Sequence, residues 1–341
     1  MPGGERGGPA GPGALIRPML ATAGAIPTGS GWAFEIKFDG VRAIAYTGDR
    51  RARLFSRNDR DVTTSYPDVA MVLDTDATPM VLDGELVALD DHGRSDFGLL
   101  QQRMHVMKPT AALIAAVPVT FAVFDVLQLD GRSLLDLPYA QRRSVLVDLG
   151  LSTRGVVVPP NFVDIAGQTV MDAASAQGLE GIVAKRLNST YQPGRRTRSW
   201  IKTPIRHTAE VVIAGWAASS GNHAVLSSLL LAAHSPGGEL VYVGDVGTGF
   251  TDAARRHLST RLTPLERATP PFDGEYTRAH AWPGRPAGRG PVHWVDPRLV
   301  GEIEYRTFTL DRTTGTGGFR HPSWRGLRPD RSPSEVVVPA R

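Results

Sequence analysis

The sequence predicts an α+β chain in two domains, the first of mostly antiparallel sheets with flanking helices, the second a small β-barrel. Three observations predict it. Period-two alternation dominates the first half, helical stretches interrupt those strands, and after Pro204 short strands gather around one helix. A length of 341 residues gives room for two cores.

The opening, MPGGERGGPAGPG, is rich in Gly and Pro and lacks the apolar stretch of a secretory signal. Residues 1–16 therefore read as a disordered tail. Phe34, Ile36 and Phe38 then alternate with Glu35, Lys37 and Asp39, the pattern of a strand with one apolar face. Further strands are expected at Ala43–Tyr46, Met80–Ala88, Val119–Leu127 and Gly181–Lys185. Helical periodicity falls at Tyr66–Leu73, Phe97–Met104, Tyr139–Leu149 and Val170–Gln177, so residues 17–204 form the first domain. In residues 205–341, strands at Glu210–Ala217, Ala224–Ala232, Leu240–Val246 and Glu302–Thr309 surround a helix at Asp252–Leu262. That count suits a barrel of the OB type. WPGRPAGRGP, residues 282–291, reads as an exposed loop.

Hydrophobic content of 41% and charged content of 21% are those of a soluble globular protein. No apolar run approaches the roughly 20 residues that span a bilayer. Without cysteine there are no disulfides and no thiolate metal sites, and the nine histidines show no ligand spacing. A net charge of +4 is compatible with a polyanionic partner. Residues 1–205 carry 22 basic and 21 acidic side chains, and residues 206–341 carry 16 and 13, so any contact with nucleic acid is local.

Of 38 basic residues only four are lysine: Lys37, Lys108, Lys185 and Lys202. Arginine suffices where only positive charge is wanted. A lysine that survives in such a chain marks a place where an amine that can lose its proton is useful. Lys37 sits in FEIKFDGVR, on the strand face shared with Glu35 and Asp39. It is either part of an exposed charged face or a nucleophile. The second reading needs neighbouring cations or a metal to favour the neutral amine, and Arg42, Arg57, Lys185 and Lys202 are candidates. Carboxylates for a metal occur in VLDGEL, where Asp83 and Glu85 share a strand face, and at Glu180 ahead of the strand ending in Lys185. Phe124 lies in a core-like strand and is either core or a ring for a purine to stack on. PGRRTRSWIKTP, with Arg195, Arg196, Arg198 and Lys202, is either a solvated loop or a phosphate-binding edge. No Walker loop is present.

In order along the chain, K-x-D-G-x-R (Lys37, Asp39, Gly40, Arg42), SRN, LDGEL, VFDVL, EGIVAK, W-x-K and R-x-D-R resemble the motifs of the covalent nucleotidyltransferases. That superfamily comprises ATP-dependent DNA ligases, RNA ligases and capping enzymes. VYVGDVGTGF, VHWVDPRLVGEIEYRTFT and FRHPSWRGLRPDR resemble the bacterial ATP-dependent DNA ligases of the end-joining type, in a minimal free-standing form, over roughly residues 17–332. The resemblance implies an adenylation (nucleotidyltransferase) domain at 17–204 and an OB-fold domain at 205–341. It implies ATP and Mg²⁺ (or Mn²⁺) as cofactors and nicked or broken double-stranded DNA as substrate. It further implies a Ku-like end-binding protein or a separate repair polymerase as partner, no membrane, a monomer, and a cytoplasmic, nucleoid-associated location.

Residue by residue, the resemblance makes Lys37 the nucleophile that carries AMP and places Glu35 near the adenine wall. Arg42 and Arg57 contact nucleotide or nick, Glu85 contacts ribose or metal, and Glu180 binds metal. Phe124 stacks on adenine, and Lys185 and Lys202 neutralise the α-phosphate. Arg328, Asp330 and Arg331 orient the leaving pyrophosphate. Relatives read W-x-K-x-K where this chain has Trp200-Ile201-Lys202-Thr203-Pro204, so a proline stands for the second lysine. The core motifs are shared with RNA ligases and capping guanylyltransferases, and a non-catalytic nucleic-acid-binding protein would keep the same two-domain shell.

Overall fold

The computed structural model describes residues 15–48, 51–74, 78–219, 221, 225–272, 289–310 and 317–339. The chain divides into two compact units after Ile205. The first contains β1 (Leu20–Ala23), β2 (Trp32–Ile36), β3 (Val41–Tyr46), β4 (Arg53–Ser56), α1 (Pro67–Leu73), β5 (Met80–Ala88), α2 (Phe97–Gln101) and α3 (Ala111–Ala116). It continues with β6 (Val119–Leu129), β7 (Arg132–Ser133), α4 (Tyr139–Asp148), β8 (Val156–Val157), β9 (Asn161–Val163), α5 (Gly167–Ala176), β10 (Gly181–Arg186) and β11 (Arg196–Pro204).

Two sheets result, one ordered β1-β11-β10-β2-β9 and the other β4-β3-β5-β6-β7 with β8 beside β6. All pairings are antiparallel except β1 with β11 and β6 with β8. The pleat decides what each face meets. Phe34, Ile182 and Ala184 point away from the second sheet and pack against Val170 and Ala174, one helical turn apart on α5. Ile44, Val81 and Leu127 of the second sheet meet Met19, Tyr191 and Trp200 between the sheets. The outer face of the second sheet carries the largest core of this unit, with Leu54, Leu82, Leu86 and Phe121 under Val69, Leu73, Leu100 and Leu146.

The strand read through Phe38 and Asp39 stops at Ile36. Both its faces are covered, so Glu35 is 5% exposed rather than part of a solvated charged face. The stretch containing Arg196–Pro204 is β11, a sheet strand rather than a loop. The helix expected to reach Met104 ends at Gln101, because the fully buried Arg103 turns in to Asp68, Ser65 O and Val117 O. The first 14 residues of the expected tail lie outside the described residues. Its last, Ile16, is docked, with its N–H donating to Tyr46 Oη at 2.7 Å.

The second unit contains β12 (His207–Ser219), β13 (Leu226–His234), β14 (Leu240–Val246), α6 (Asp252–Leu262), β15 (Glu266–Arg267), β16 (Arg289–Val295), β17 (Val300–Tyr305), β18 (Thr307–Leu310), β19 (Gly317–Arg320) and β20 (Ser323–Leu327). The long β12 is the spine. Its first half pairs with β17 and its second with β16 along one edge, and β13 runs along the other. The single strand expected at Glu302–Thr309 is two, broken at Arg306. Ala224, at the start of another expected strand, and residues 282–288 of the expected loop lie outside the described residues. Thr251 caps α6, accepting from Ala254 N–H at 3.1 Å. Among the described residues no helix is long and apolar enough to cross a membrane.

Candidate active site

The site lies where the facing surfaces of the two sheets carry polar side chains instead of apolar ones. Lys37 follows β2 directly. Its N–H still donates to Gly181 O at 2.9 Å, and its Nζ lies 2.5 Å from Glu180 Oε2 and 3.3 Å from Phe38 O. The Lys37 side chain is 19% exposed, open enough to reach a ligand. Gly40 lets the chain turn from Lys37 into β3. A Cβ there would run into the Leu86 carbonyl oxygen and come 2.9 Å from Glu85 Cγ.

Register places Arg42 opposite Glu85 and Ile44 opposite Asp83. Arg42 binds Asp83 bidentately, at 2.6 Å and 2.7 Å, and its guanidinium lies 4.4 Å from the Phe124 ring centroid. Burial opposes the Arg42 charge, but Asp83 outweighs it and holds the guanidinium protonated more firmly than an ordinary arginine. Tyr191 Oη donates to the same carboxylate at 2.6 Å and accepts from Met19 N–H at 2.9 Å. Asp83 is therefore not a free metal-type carboxylate. It is fully buried and engaged by Arg42 and Tyr191. Glu85 has its carboxyl pushed up to about 7, mainly by burial, with Glu180 and Asp83 adding like charge and Arg42 and Lys37 pulling the other way.

Lys185 is 1% exposed. Its Nζ is 2.7 Å from Glu35 Oε2 and 4.3 to 5.1 Å from the ring centroids of Trp200, Phe124 and Tyr139. Burial lowers its pKa and Glu35 opposes that shift. Glu35 Oε1 accepts from Tyr139 Oη. Lys202 lies on β11 opposite Val183 and is half-buried. Arg57 is exposed in the turn after β4. Pro204 is the last residue of β11, opposite Gly181.

In the second unit Arg328 binds Asp330 at 2.8 Å and 2.9 Å, and its Nη1 lies 2.9 Å from Glu302 and 3.1 Å from Glu210. Arg331 Nε lies 2.8 Å from Glu210. The bonds from Arg328 hold the Asp330 carboxyl at about 2, well below an ordinary aspartate.

The structure thus brings Glu35, Lys37, Arg42, Glu85, Phe124, Glu180 and Lys185 together, and sets Arg328, Asp330 and Arg331 in a cluster of their own. Sequence reasoning missed Tyr139, Tyr191 and the buried pair Asp125–Arg142, which is bidentate at 2.8 Å and 2.9 Å. Nothing local marks them, since the tyrosines bond carboxylates 104 and 108 residues away. Among the described residues no group of three His, Cys, Asp or Glu could hold a metal. Glu85 and Glu180 are close enough for like-charge coupling, which suits a hard divalent cation completed by water and phosphate oxygens.

A partly exposed lysine paired with Glu180 shares this unit with a half-buried arginine that Asp83 holds beside the Phe124 ring. Residues 18–203 match the ATP dependent DNA ligase domain, and residues 222–331 match the ATP dependent DNA ligase C terminal region. The chain belongs to the ATP-dependent DNA ligases, with an α+β adenylation domain and an OB-type C-terminal domain. It is 41% identical over 94% of its length to the multifunctional non-homologous end joining protein LigD of Mycolicibacterium smegmatis, covering 39% of that protein. It is 40% identical over 94% of its length to the LigD of Mycobacterium tuberculosis, covering 40% of that protein. The chain therefore spans about two fifths of these relatives. Two solved structures cover nearly its whole length. The ligase domain of M. tuberculosis LigD has 37% identity and a TM-score of 0.51, with 95% of this chain and 98% of that one covered. A mycobacterial DNA ligase D complexed with ATP and MES has 38% identity and a TM-score of 0.52, with 94% and 98% covered.

Proposed function

We propose that this ligase seals nicks or breaks in double-stranded DNA through a lysyl-AMP on Lys37, as the ligase component of end joining. The observation that carries the reading is the placement of Lys37 Nζ, partly exposed, 2.5 Å from Glu180 and in the electrostatic reach of Glu85. In the first step the neutral Lys37 amine attacks the α-phosphorus of ATP. An N–P bond forms, the bond to the pyrophosphate oxygen breaks, and the amine proton leaves to solvent. AMP then passes to the 5′-phosphate at the break, and the 3′-hydroxyl displaces it to close the strand.

Residues 17–204 act as the adenylation domain and 205–341 as the OB domain. Phe124 offers a ring for the adenine and Glu35 borders it. Arg42, fixed by Asp83, and Arg57 face nucleotide or DNA phosphates. Lys202 is the cation for the α-phosphate, while Lys185 is committed to Glu35. Arg328, Asp330 and Arg331 serve the leaving pyrophosphate. Glu85 and Glu180 would hold Mg²⁺ or Mn²⁺, which would neutralise phosphate charge and, by drawing Glu180 from Lys37, favour the neutral amine. Support for end joining comes from the LigD relatives, and a Ku-like end-binding protein is the partner that reading implies.

The test is intact mass after incubation with ATP and a divalent cation. Unmodified protein should gain one AMP. Lys37→Arg keeps the charge, loses the deprotonable amine and should gain none while unfolding at the same temperature. AMP on the arginine variant, or on another side chain, would remove Lys37 from this role. Glu180→Ala should weaken the metal dependence of AMP capture more than it lowers the unfolding temperature. An unchanged metal dependence would take Glu180 out of the metal site.

A further inference from the structure

Arg42 spends most of its N–H donors on the protein itself. Its Nε donates to Asp83 Oδ1 at 2.6 Å, and its Nη2 donates to Asp83 Oδ2 at 2.7 Å and to Met19 O at 3.3 Å. Nη1 has no protein partner among the described residues, and the side chain keeps 19% exposure. Met19, fully buried, closes the other side. Its N–H donates to Tyr191 Oη at 2.9 Å, and Tyr191 Oη donates to Asp83 Oδ2 at 2.6 Å. Burial and the Asp83 charge keep the Tyr191 proton in place, so the phenol is the donor to the carboxylate. The bonds form a closed ring, from Arg42 to Asp83, to Tyr191, to the Met19 backbone and back to Arg42. Four segments meet in it: the residues ahead of β1, then β3, β5 and the turn ahead of β11.

The stretch ahead of β1 is stitched to that turn. Gly194 N–H donates to Arg17 O at 3.0 Å, Leu20 N–H to Arg195 O at 2.8 Å, and Gln192 N–H to Met19 Sδ at 3.2 Å. Met19 therefore presents fixed backbone groups to the ring. Asp83 alone would let carboxylate and guanidinium swing together as one plate about their side-chain bonds. Tyr191 pins the carboxylate and Met19 O pins Nη2, which fixes the plane and with it the direction of Nη1. The guanidinium lies 4.4 Å from the Phe124 ring centroid, so that remaining donor stands beside whatever lies on the ring. A donor fixed in advance loses less side-chain freedom when its ligand arrives.

We propose that Tyr191 is a positioning residue for Arg42. With the Met19 backbone it closes the ring that aims Arg42 Nη1 at an oxygen of the nucleotide lying on Phe124. This rests on the reading of Phe124 as the ring beneath the base.

The experiment measures equilibrium dialysis of α,β-methylene-ATP, whose P–C–P link keeps AMP from passing to Lys37. Four full-length proteins are titrated: unmodified, Tyr191→Phe, Arg42→Lys and the double variant. Arg42→Lys keeps a charge for Asp83 but has no second nitrogen to turn toward the nucleotide. Tyr191→Phe should raise Kd about fivefold, and Arg42→Lys about tenfold. The double variant should bind within about twofold of Arg42→Lys alone, because Tyr191 then has no Nη1 left to aim. Kd is read from the midpoint, so an inactive fraction lowers only the plateau. Losses that multiply, to about fiftyfold in the double variant, give Tyr191 a general structural role and overturn the proposal. An unchanged Kd in Tyr191→Phe overturns it too. So does a Tyr191→Phe protein without a cooperative unfolding transition, because a positioning role leaves the fold intact. Failure of the unmodified protein to bind the probe would sink the nucleotide reading of Phe124, and the proposal with it.

Discussion

At Lys37 a compositional habit and a local structure converge. The chain uses lysine four times, and three of those lysines lie on the sheet whose face forms one wall of the cleft or directly beside it. Scarcity made the positions legible, but not their company. Lys185 looked interchangeable with Lys202 from the sequence. The pleat of β10 and β2 sets it against Glu35 inside a ring of aromatics, whereas Lys202 is half-buried on β11. Asp83 is the reverse case, a residue with the look of a metal ligand whose lone pairs are spent on Arg42 and Tyr191. Its neutralisation tests that account. Asp83→Asn leaves the Arg42 charge without its partner in a mostly buried site, and should destabilise the protein by about 3 kcal/mol in urea denaturation. Tyr191→Phe removes one donor to the same carboxylate and should cost about 1 kcal/mol. If the two losses are equal, the Arg42–Asp83 pair is not the dominant tie.

Whole elements were legible where one periodicity ruled. β5 and α6 fall at the residues the sequence indicates, because the first is a nine-residue, mostly apolar run buried on both faces and the second is amphipathic with a Thr cap. Elements ruled by polar contacts were harder. α4 was found, yet the face it turns inward is Tyr139, Arg142, Arg143 and Leu146, and an apolar stripe would have predicted a different docking. β11 was masked by its arginines, since a run of charge next to Pro and Gly also describes a loop. In the second unit, register sets Glu210 directly opposite Glu302, a like-charge pair that repels across the strands. Arg328 bridges both, so Arg328→Met should destabilise this unit, and less so in 1 M than in 0.05 M salt because screening relieves the exposed repulsion. Destabilisation that ignores salt would assign Arg328 a packing role. The Arg328–Asp330 pair also carries a pH signature. The folded carboxyl titrates at about 2, below its unfolded value of 3.8. The pair's contribution is thus complete above the unfolded value and disappears as pH falls through about 2. NMR titration of the Asp330 carboxyl should show that low midpoint, and in Arg328→Met it should move back up toward the unfolded value.

For the molecule as a whole, the balance of charge sets the terms on which it meets DNA. The first unit holds 22 basic against 21 acidic side chains, so no broad field draws in a polyanion. Many of the acids are answered internally, as in Asp83 with Arg42, Asp125 with Arg142, Asp68 with Arg103 and Asp90 with Arg94. What remains for a phosphate backbone is a small set of exposed arginines. Arg195 and Arg198, flanking the exposed Arg196 at the start of β11, are among them. Arg196 already donates to Ala21 O, which leaves its two neighbours as the better candidates. Binding to nicked duplex should therefore weaken linearly with the logarithm of salt concentration, with a slope set by a few phosphates. Replacing Arg195 and Arg198 by alanine should lower that slope by about two, since each phosphate left without its arginine removes close to ~0.9, and should not move the unfolding temperature. A slope unchanged by the double substitution would mean that the backbone lies on another face, and that β11 contributes its arginines to the sheet edge alone.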